Sequence, residues 1–338
     1  MTEARLRSGP AMTGAHLRSP ATRTGARGFV LLAVLLAVLL ALTLLAVVVS
    51  EMARSARLAA SMARTYRDGV LARHLAEAAV QQALREIATP AQITALDESG
   101  QVAFHRLLPG QTLPTPVPML PRTRVPLGSG HFSYRLDDES ARLGLNTVNA
   151  RRLARLLEGL GVEPGERDVI VDSVQDWRDA DELHRLHGAE SDFYLARPVA
   201  HRSRNAPFQD PAELLQVRGV TPGLYRATAE RPGLGDLVTA APVSATNLNT
   251  APRLVLHALG LSDAEIADVV QTRVRAPYGH VPGRFAGRGL AVGSAVFRVE
   301  AEGRAAGVRS RVVAVVRRGR PGAPLEPTIV AWHPEPAP

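Results

Sequence analysis

The sequence predicts an α+β protein in which one long N-terminal helix is followed by strands, then by an inserted helical module, and then by strands again. Three observations predict it. Phe29 to Val49 is a run of twenty-one residues without a charge, about 30 Å of helix at 1.5 Å per residue, which is one crossing of a bilayer. Strand-like alternation at 131–136 and beyond 295 brackets a series of segments with helical spacing. Between them and the N-terminal helix, prolines 109, 114, 116, 118, 121 and 126 forbid regular helix and allow only extended or edge structure.

Composition narrows the chemistry. The 338 residues are 46% apolar and 21% charged, a globular balance with room for about two domains. There is no cysteine, which excludes disulfides, thiolate metal sites and cysteine nucleophiles. All forty basic residues are arginine, which excludes lysine chemistry such as the phosphate-binding loop and the pyridoxal Schiff base. There is no Gly-x-Ser-x-Gly elbow and no His-Glu-x-x-His pair. A two-carboxylate hydrolase built on Asp176 and Glu190 would have few platforms for sugar, with 4% aromatic residues. No enzyme is expected.

The net charge of +8 is segregated. Residues 1–28 hold five arginines against Glu3, and 273–320 hold eleven against Glu300 and Glu302. Between 163 and 192, ten carboxylates face only Arg167, Arg178 and Arg185.

The apolar run exceeds the roughly 7–15 residues of a cleaved signal core. It passes into Ser50-Glu51-Met52 with no small-x-small site, so a retained transmembrane helix is expected. Arginines 18, 23 and 27 precede it, which keeps residues 1–28 cytoplasmic and sends the remaining mass outward. Helical spacing of Ala76, Val80, Leu84 and Ile87, with arginines 54, 57, 64, 67 and 73 on a polar side, extends the helix to about Ala88, and Pro90 ends it.

Downstream, His131–Leu136 reads as a strand leading through an acidic turn, Asp137-Asp138-Glu139-Ser140, to Leu145-Asn146-Thr147. Helices are expected at 151–160, 167–177, 211–217, 252–259 and 263–273. A hairpin is expected from 295–301 and 308–316 across Gly303 and Gly307, followed by a short strand at 328–332. Leu145-Asn146-Thr147, a helix and Leu160-Gly161-Val162 recur as Leu248-Asn249-Thr250, a helix and Leu259-Gly260-Leu261. This is either an internal duplication or two independently capped helices. With Val217–Pro222 as a third turn of the same style, it raises a membrane-anchored helix-hairpin-helix DNA-binding or uptake protein as the alternative function. Glu163 and Asp263 stand where phosphate would approach, and arginines 309, 311, 317 and 318 read as a solvated strand face. No nucleic acid is expected.

The densest chemistry lies in Asp176-Trp177-Arg178-Asp179-Ala180-Asp181-Glu182 and Gly188-Ala189-Glu190-Ser191-Asp192-Phe193-Tyr194. Carboxylates this close repel unless solvated, protonated or neutralised by a cation. Hard oxygen ligands on an irregular loop suit calcium better than magnesium. Two other readings stay open: an exposed acidic loop with Arg178 and Arg185 as partners, and zinc through His184 and His187.

Several of these elements together carry a resemblance. Arg27-Gly28-Phe29 resembles the prepilin peptidase site of type IV pilins and pseudopilins, which is cut after the glycine and methylated on the new N-terminus. Ala33 stands where those families carry a glutamate, a departure that suits a subunit capping a filament end. With Asp138-Glu139-Ser140, Leu145-Asn146-Thr147, the Asp176–Asp181 and Gly188–Tyr194 elements, Leu214–Tyr225 and Asn247–Pro252, the chain is similar to the K-type minor pseudopilin family of type II secretion systems.

The resemblance implies a pilin-like long helix packed on an antiparallel sheet with a large inserted α-helical domain. It divides the chain into a cleaved leader (1–28), a transmembrane and stalk helix (29–88), a first β part (89–145), the helical insertion (146–284) and a second β part with the tail (285–338). It implies a single-pass inner-membrane protein with a periplasmic globular part, processed at Gly28 and Phe29 by prepilin peptidase. It implies a role in capping or initiating the pseudopilus tip, with I-, J- and H-type minor pseudopilins and the major pseudopilin as partners. It also implies calcium held by Asp176, Asp179, Asp181, Glu190 and Asp192.

Overall fold

The computed structural model describes residues 23–319 and 326–334, so the expected leader lies outside the described residues up to position 22. The chain divides into two compact units, 1–65 and 66–338.

In the first unit lies most of α1 (Arg23–Ile87). The helix starts before Gly28 and runs through the Gly28-Phe29 junction, where the sequence predicted its beginning at Phe29. Glycine at the junction is tolerated inside a helix whose neighbours are strong formers. Every residue from Gly28 to Thr65 is exposed, and α1 is long and apolar enough to cross a membrane once. From Phe29 to Val49 leucine and valine cover it on all sides, so only lipid or other apolar helices can satisfy that stretch.

The second unit begins with the last turns of α1. Ala72, Leu75, Ala76, Ala79, Val80, Ala83 and Ile87 are buried, repeating every three or four residues as one helical face demands. The chain continues through β1 (Ile93–Leu96), β2 (Val102–Arg106), β3 (Thr115–Pro116), β4 (Val125–Leu127) and β5 (Gly130–Asp138). Next come β6 (Leu143–Gly144), α2 (Ala150–Gly159), α3 (Pro164–Arg178), α4 (Ser191–Leu195), α5 (Pro222–Tyr225), α6 (Leu234–Leu237) and β7 (Val238–Thr239). The last are β8 (Thr246–Asn247), α7 (Arg253–Ala258), α8 (Asp263–Arg275), β9 (Leu290–Ala291), β10 (Val296–Ala305), β11 (Val308–Arg317) and β12 (Thr328–Pro334).

The main sheet is antiparallel in the order β12-β11-β10-β5-β4. Its inner face, including Phe132, Tyr134, Leu136, Phe297, Val299, Val312, Ala314 and Val316, forms one core with the α1 stripe. The alanines of that stripe let helix and sheet approach closely. Glu86 of α1 is pinned there by a buried two-point ion pair from Arg122 (2.7 and 3.0 Å) and by the Tyr134 hydroxyl (2.8 Å). The proline-rich stretch supplies Arg122 and the short β3 and β4, as an edge segment should.

Two expectations are corrected here. The β10–β11 hairpin turns at Ala306-Gly307, both with positive φ (46° and 85°), in a two-residue loop of the kind that matches strand twist. Gly303 instead lies inside β10, opposite Ser310. The acidic turn is only half a turn: Asp137 and Asp138 end β5, and Glu139–Ala141 is a 3₁₀ turn capped by Asp138.

A second, separate apolar core gathers Leu145, Leu153, Leu156, Leu157, Val174, Trp177, Tyr194, Leu248, Val255, Leu256, Val269 and Phe285. It is built from two halves on one plan. In the first, β6 pairs in parallel with β7, and in the second β8 pairs in parallel with β9. Asn146 caps the Phe208 peptide through both its N–H and C=O and donates to Ala240 O, just beyond β7. Asn249 does the same to Tyr278 and to Val292 O, just beyond β9. Arg178, closing α3, donates to Leu145 O and Val148 O, and Arg273, in the last turn of α8, donates to Leu248 O and Ala251 O. After each first helix a glycine turns the chain with positive φ, Gly161 at 80° and Gly260 at 87°. The repeat seen in the sequence is therefore a repeat of hydrogen bonding.

Candidate functional site

Asp138, Glu139 and Ser140 join the two cores. Asp138 is buried, and its Oδ2 accepts from Ser294 Oγ (2.5 Å), Thr250 Oγ1 (2.5 Å) and Asn247 Nδ2 (3.1 Å) while Oδ1 accepts from Ser140 N (2.8 Å). Burial still pushes its pKa up against those bonds. Glu139 accepts from Thr239 Oγ1, beside the first half, and from Arg142 and Arg298. Adjacent carboxylates thus hold the second and first halves respectively, and the Ser140 hydroxyl accepts from Ala295 and Val296 at the start of β10.

The acidic loop hangs on α3. Pro164 sits in its first turn, where a missing N–H costs nothing. The helix presents Asp172 and Asp176 one turn apart and ends in Asp179. Asp172 accepts from His187 N (3.1 Å), and Asp176 accepts from Arg185 N (3.1 and 3.3 Å). These bonds fold residues 182–188 back along the helix. Gly188 is required by that fold, because a Cβ there would overlap Asp176 Oδ2. Arg218, from the Leu214–Tyr225 element, holds Gly188 O (2.9 Å) and lies 4.7 Å from the Phe193 ring centre. Trp177 packs edge-on to Tyr194 at 5.4 Å, closing the floor.

Of the five predicted ligands, the structure brings two, Asp176 and Asp179, onto one partner, and a third, Glu190, feels their charge. Asp176 and Asp179 converge on one cation, the Arg185 guanidinium, whose Nη1 lies 2.5 Å from Asp176 Oδ1 and 2.6 Å from Asp179 Oδ2. Glu190 is 1% exposed, and neither carboxylate oxygen has a hydrogen-bond partner. Its pKa is pushed up to about 7, first by burial and then by Asp176, Asp179 and Glu182, although the Ser203 hydroxyl beside it pulls the other way without completing a bond. Burial also raises Asp176 despite Arg185. For Arg185, burial is outweighed by its bonds to Asp179 and Asp176, which hold its pKa above the ordinary value.

The other two stand apart. Asp181 and Asp192 are exposed, and each accepts from a nearby backbone N–H, Leu183 and Phe193. Each uses its Oδ1 in that contact. Glu182 was passed over as a ligand, yet it acts on Glu190 and accepts from Ser191 N, Ser191 Oγ and Asn205 Nδ2. Ser203 had no sequence signal at all. Among the described residues no three acidic or histidine side chains already form a metal-holding group. His184 and His187 are exposed.

Residues 136–231, which contain the Asp138–Ser140 hub between the two cores and the acidic loop, match the family model of type II secretion system protein K. The chain is similar to that family. A type II secretion system protein K of Pectobacterium carotovorum is 30% identical over 168 residues, 45% of this chain and 49% of the relative. That of Klebsiella pneumoniae is 36% identical over 95 residues, 28% of each chain. That of Pseudomonas aeruginosa is 27% identical over 215 residues, 57% of this chain and 62% of the relative. The chain thus spans about half the length, or less, of most of the protein K relatives it matches. In fold it is similar to a chain in the crystal structure of the GspK-GspI-GspJ complex from enterotoxigenic Escherichia coli. That likeness has a TM-score of 0.58 at 20% identity and covers 82% of this chain and 99% of that one.

Proposed function

We propose that this chain is a minor pseudopilin of a type II secretion system, a non-catalytic subunit that caps or initiates the periplasmic pseudopilus tip for export across the outer membrane. The observation that carries it is the union, in one chain, of a helix apolar on every side (28–49) with the hub-and-acidic-loop domain matched by the protein K model. The helix inserts in the inner membrane with the second unit in the periplasm. Prepilin peptidase cuts after Gly28, and Phe29 becomes the methylated N-terminus. Ala33 offers no carboxylate to the terminal ammonium of a neighbour, so the subunit sits at an end of the filament.

Calcium belongs to this reading. The buried Asp176 carboxylate, the two unpartnered oxygens of Glu190 and the unpartnered Oδ1 of Asp179 are hard oxygen donors that fit it. Bound there, it supplies the positive charge that Glu190 lacks. Asp176, Asp179 and Glu190 would hold it, with Asp181 and Asp192 as outer supports through the turns they cap.

The test is co-purification. Tagged full-length chain, extracted from inner membranes in detergent, is expected to retain the host's I- and J-type minor pseudopilins. Recovery of the chain without them, from cells that express them, contradicts the reading. Binding of duplex DNA with a steep salt dependence would favour the helix-hairpin-helix alternative instead.

A further inference from the structure

Within the acidic loop, the Arg185 guanidinium is shared between two acids. Its Nη1 atom alone bridges two carboxylates, Asp176 Oδ1 at 2.5 Å and Asp179 Oδ2 at 2.6 Å, and its own backbone N–H donates to Asp176. One partner, Asp176, is fully buried, whereas the arginine side chain is 41% exposed. The guanidinium therefore reaches in from the surface to neutralise an interior charge. Glu190, equally buried, is left with two unpartnered oxygens that the guanidinium does not reach. The site thus has more negative charge than its internal cation satisfies. The segment carrying Arg185 is held by few apolar contacts: Leu183 and Leu186 on either side are 78% and 87% exposed. It is tied down chiefly by the carboxylates of Asp172 and Asp176.

We propose that Arg185 is a built-in cation that closes the acidic loop in the ion-free protein, and that a divalent cation binds by displacing it. This rests on the calcium reading above. Asp176 and Asp179 are common to both partners, so guanidinium and ion compete for the same oxygens, and only the ion also satisfies Glu190. Competition has two consequences. The arginine lowers the observed affinity for the ion, because part of the binding free energy is spent on breaking its pair. It also stabilises the ion-free state, so the gap between the empty and loaded proteins is narrower than the carboxylates alone would make it. On displacement, the guanidinium swings outward with a segment already poised at the surface. The loop then has two arrangements, chosen by which cation it holds.

The experiment uses full-length chain in detergent, wild type against Arg185→Gln, titrated with Ca²⁺ alone and with Mg²⁺ as a second arm, from a chelator-treated start. Gln keeps the backbone donor to Asp176 and removes the guanidinium with its charge and its two carboxylate bonds. Displacement predicts calcium affinity about tenfold tighter in the variant, the scale of one lost partly exposed ion pair. It also predicts a chelator-state melting temperature lower by about 2–4 °C, with the calcium-loaded melting temperature unchanged. The second readout is chemical: labelling of the Arg185 guanidinium by a dicarbonyl reagent in the wild type, mapped by peptide mass spectrometry. It should quicken several-fold when Ca²⁺ replaces chelator. If both proteins bind calcium with equal affinity, or if labelling is unchanged or slowed by calcium, displacement is wrong while the calcium reading stands. If neither binds calcium, the calcium reading fails and displacement falls with it.

Discussion

The two halves of the helical core share a frame and differ in what hangs from it. In both, an Asn side chain grips a distant peptide by both its polar groups, and an Arg late in the second helix holds the carbonyls of the Leu-Asn-Thr turn. The difference lies between that Arg and the peptide gripped by the Asn. In the first half twenty-nine residues intervene (179–207), and in the second only four (274–277). The extra length is the acidic loop. Its burden of unpaired charge is carried by a half whose frame is already complete without it. The comparison teaches that frame and function are separable here: residues that recur are structural, and those present once are where a ligand is to be sought.

Four experiments break or sharpen that comparison. The largest effect is expected from Asn146→Ala and Asn249→Ala. Each removes three hydrogen bonds and strands a part-buried peptide, so each should cost about 2–4 kcal/mol in chemical denaturation, with similar values in both halves. A severe loss in one half and none in the other would show that the frame is not shared. Next is Gly188→Ala, whose Cβ meets Asp176 Oδ2. It should cost about 1–3 kcal/mol by opening the loop and remove any calcium response, and it has no counterpart in the second half.

Smaller again are Gly161→Ala and Gly260→Ala. Both put a Cβ at positive φ and should each lose about 1 kcal/mol, read as paired shifts of midpoint. The smallest concerns pH. Glu190 titrates at about 7 when folded against an ordinary 4.5, so between those values the folded chain binds more protons than the unfolded one. Ion-free stability should then fall as pH rises from about 4.5 to 7. Glu190→Gln should flatten that part of the profile, and an unchanged slope would show that Glu190 is not the source.

Much of this was legible in the sequence, for identifiable reasons. The uncharged run, the period of Ala76, Val80, Leu84 and Ile87, and the helices after Asn146 and Asn249 are local signals and survive folding, whereas the expected caps do not: Asn149 caps α2, and α7 follows Pro252 with no side-chain cap. The Asp176–Asp179 pair was legible because spacing along one helix sets direction. Convergence across the chain was not. Asp138 looked like part of a polar turn because nothing near it in sequence announces Thr250 and Ser294, its partners more than a hundred residues away. Asp181 and Asp192 entered the ligand set through the resemblance, and nothing in their spacing announces that Oδ1 of each accepts a nearby backbone N–H, from Leu183 and Phe193. Gly303 looked like a turn because glycine in a strand reads as a break. The tight hairpin pair, Ala306-Gly307, instead includes an alanine at positive φ that no propensity would choose.

The account as a whole depends on the N-terminal helix being the polymerisation element of a pseudopilin. The most direct measurement is the intact mass and N-terminal peptide of the chain isolated from cells with an active secretion system. The account predicts a chain that begins at Phe29 with a methylated amine. A working protein that still begins at Met1 would contradict it.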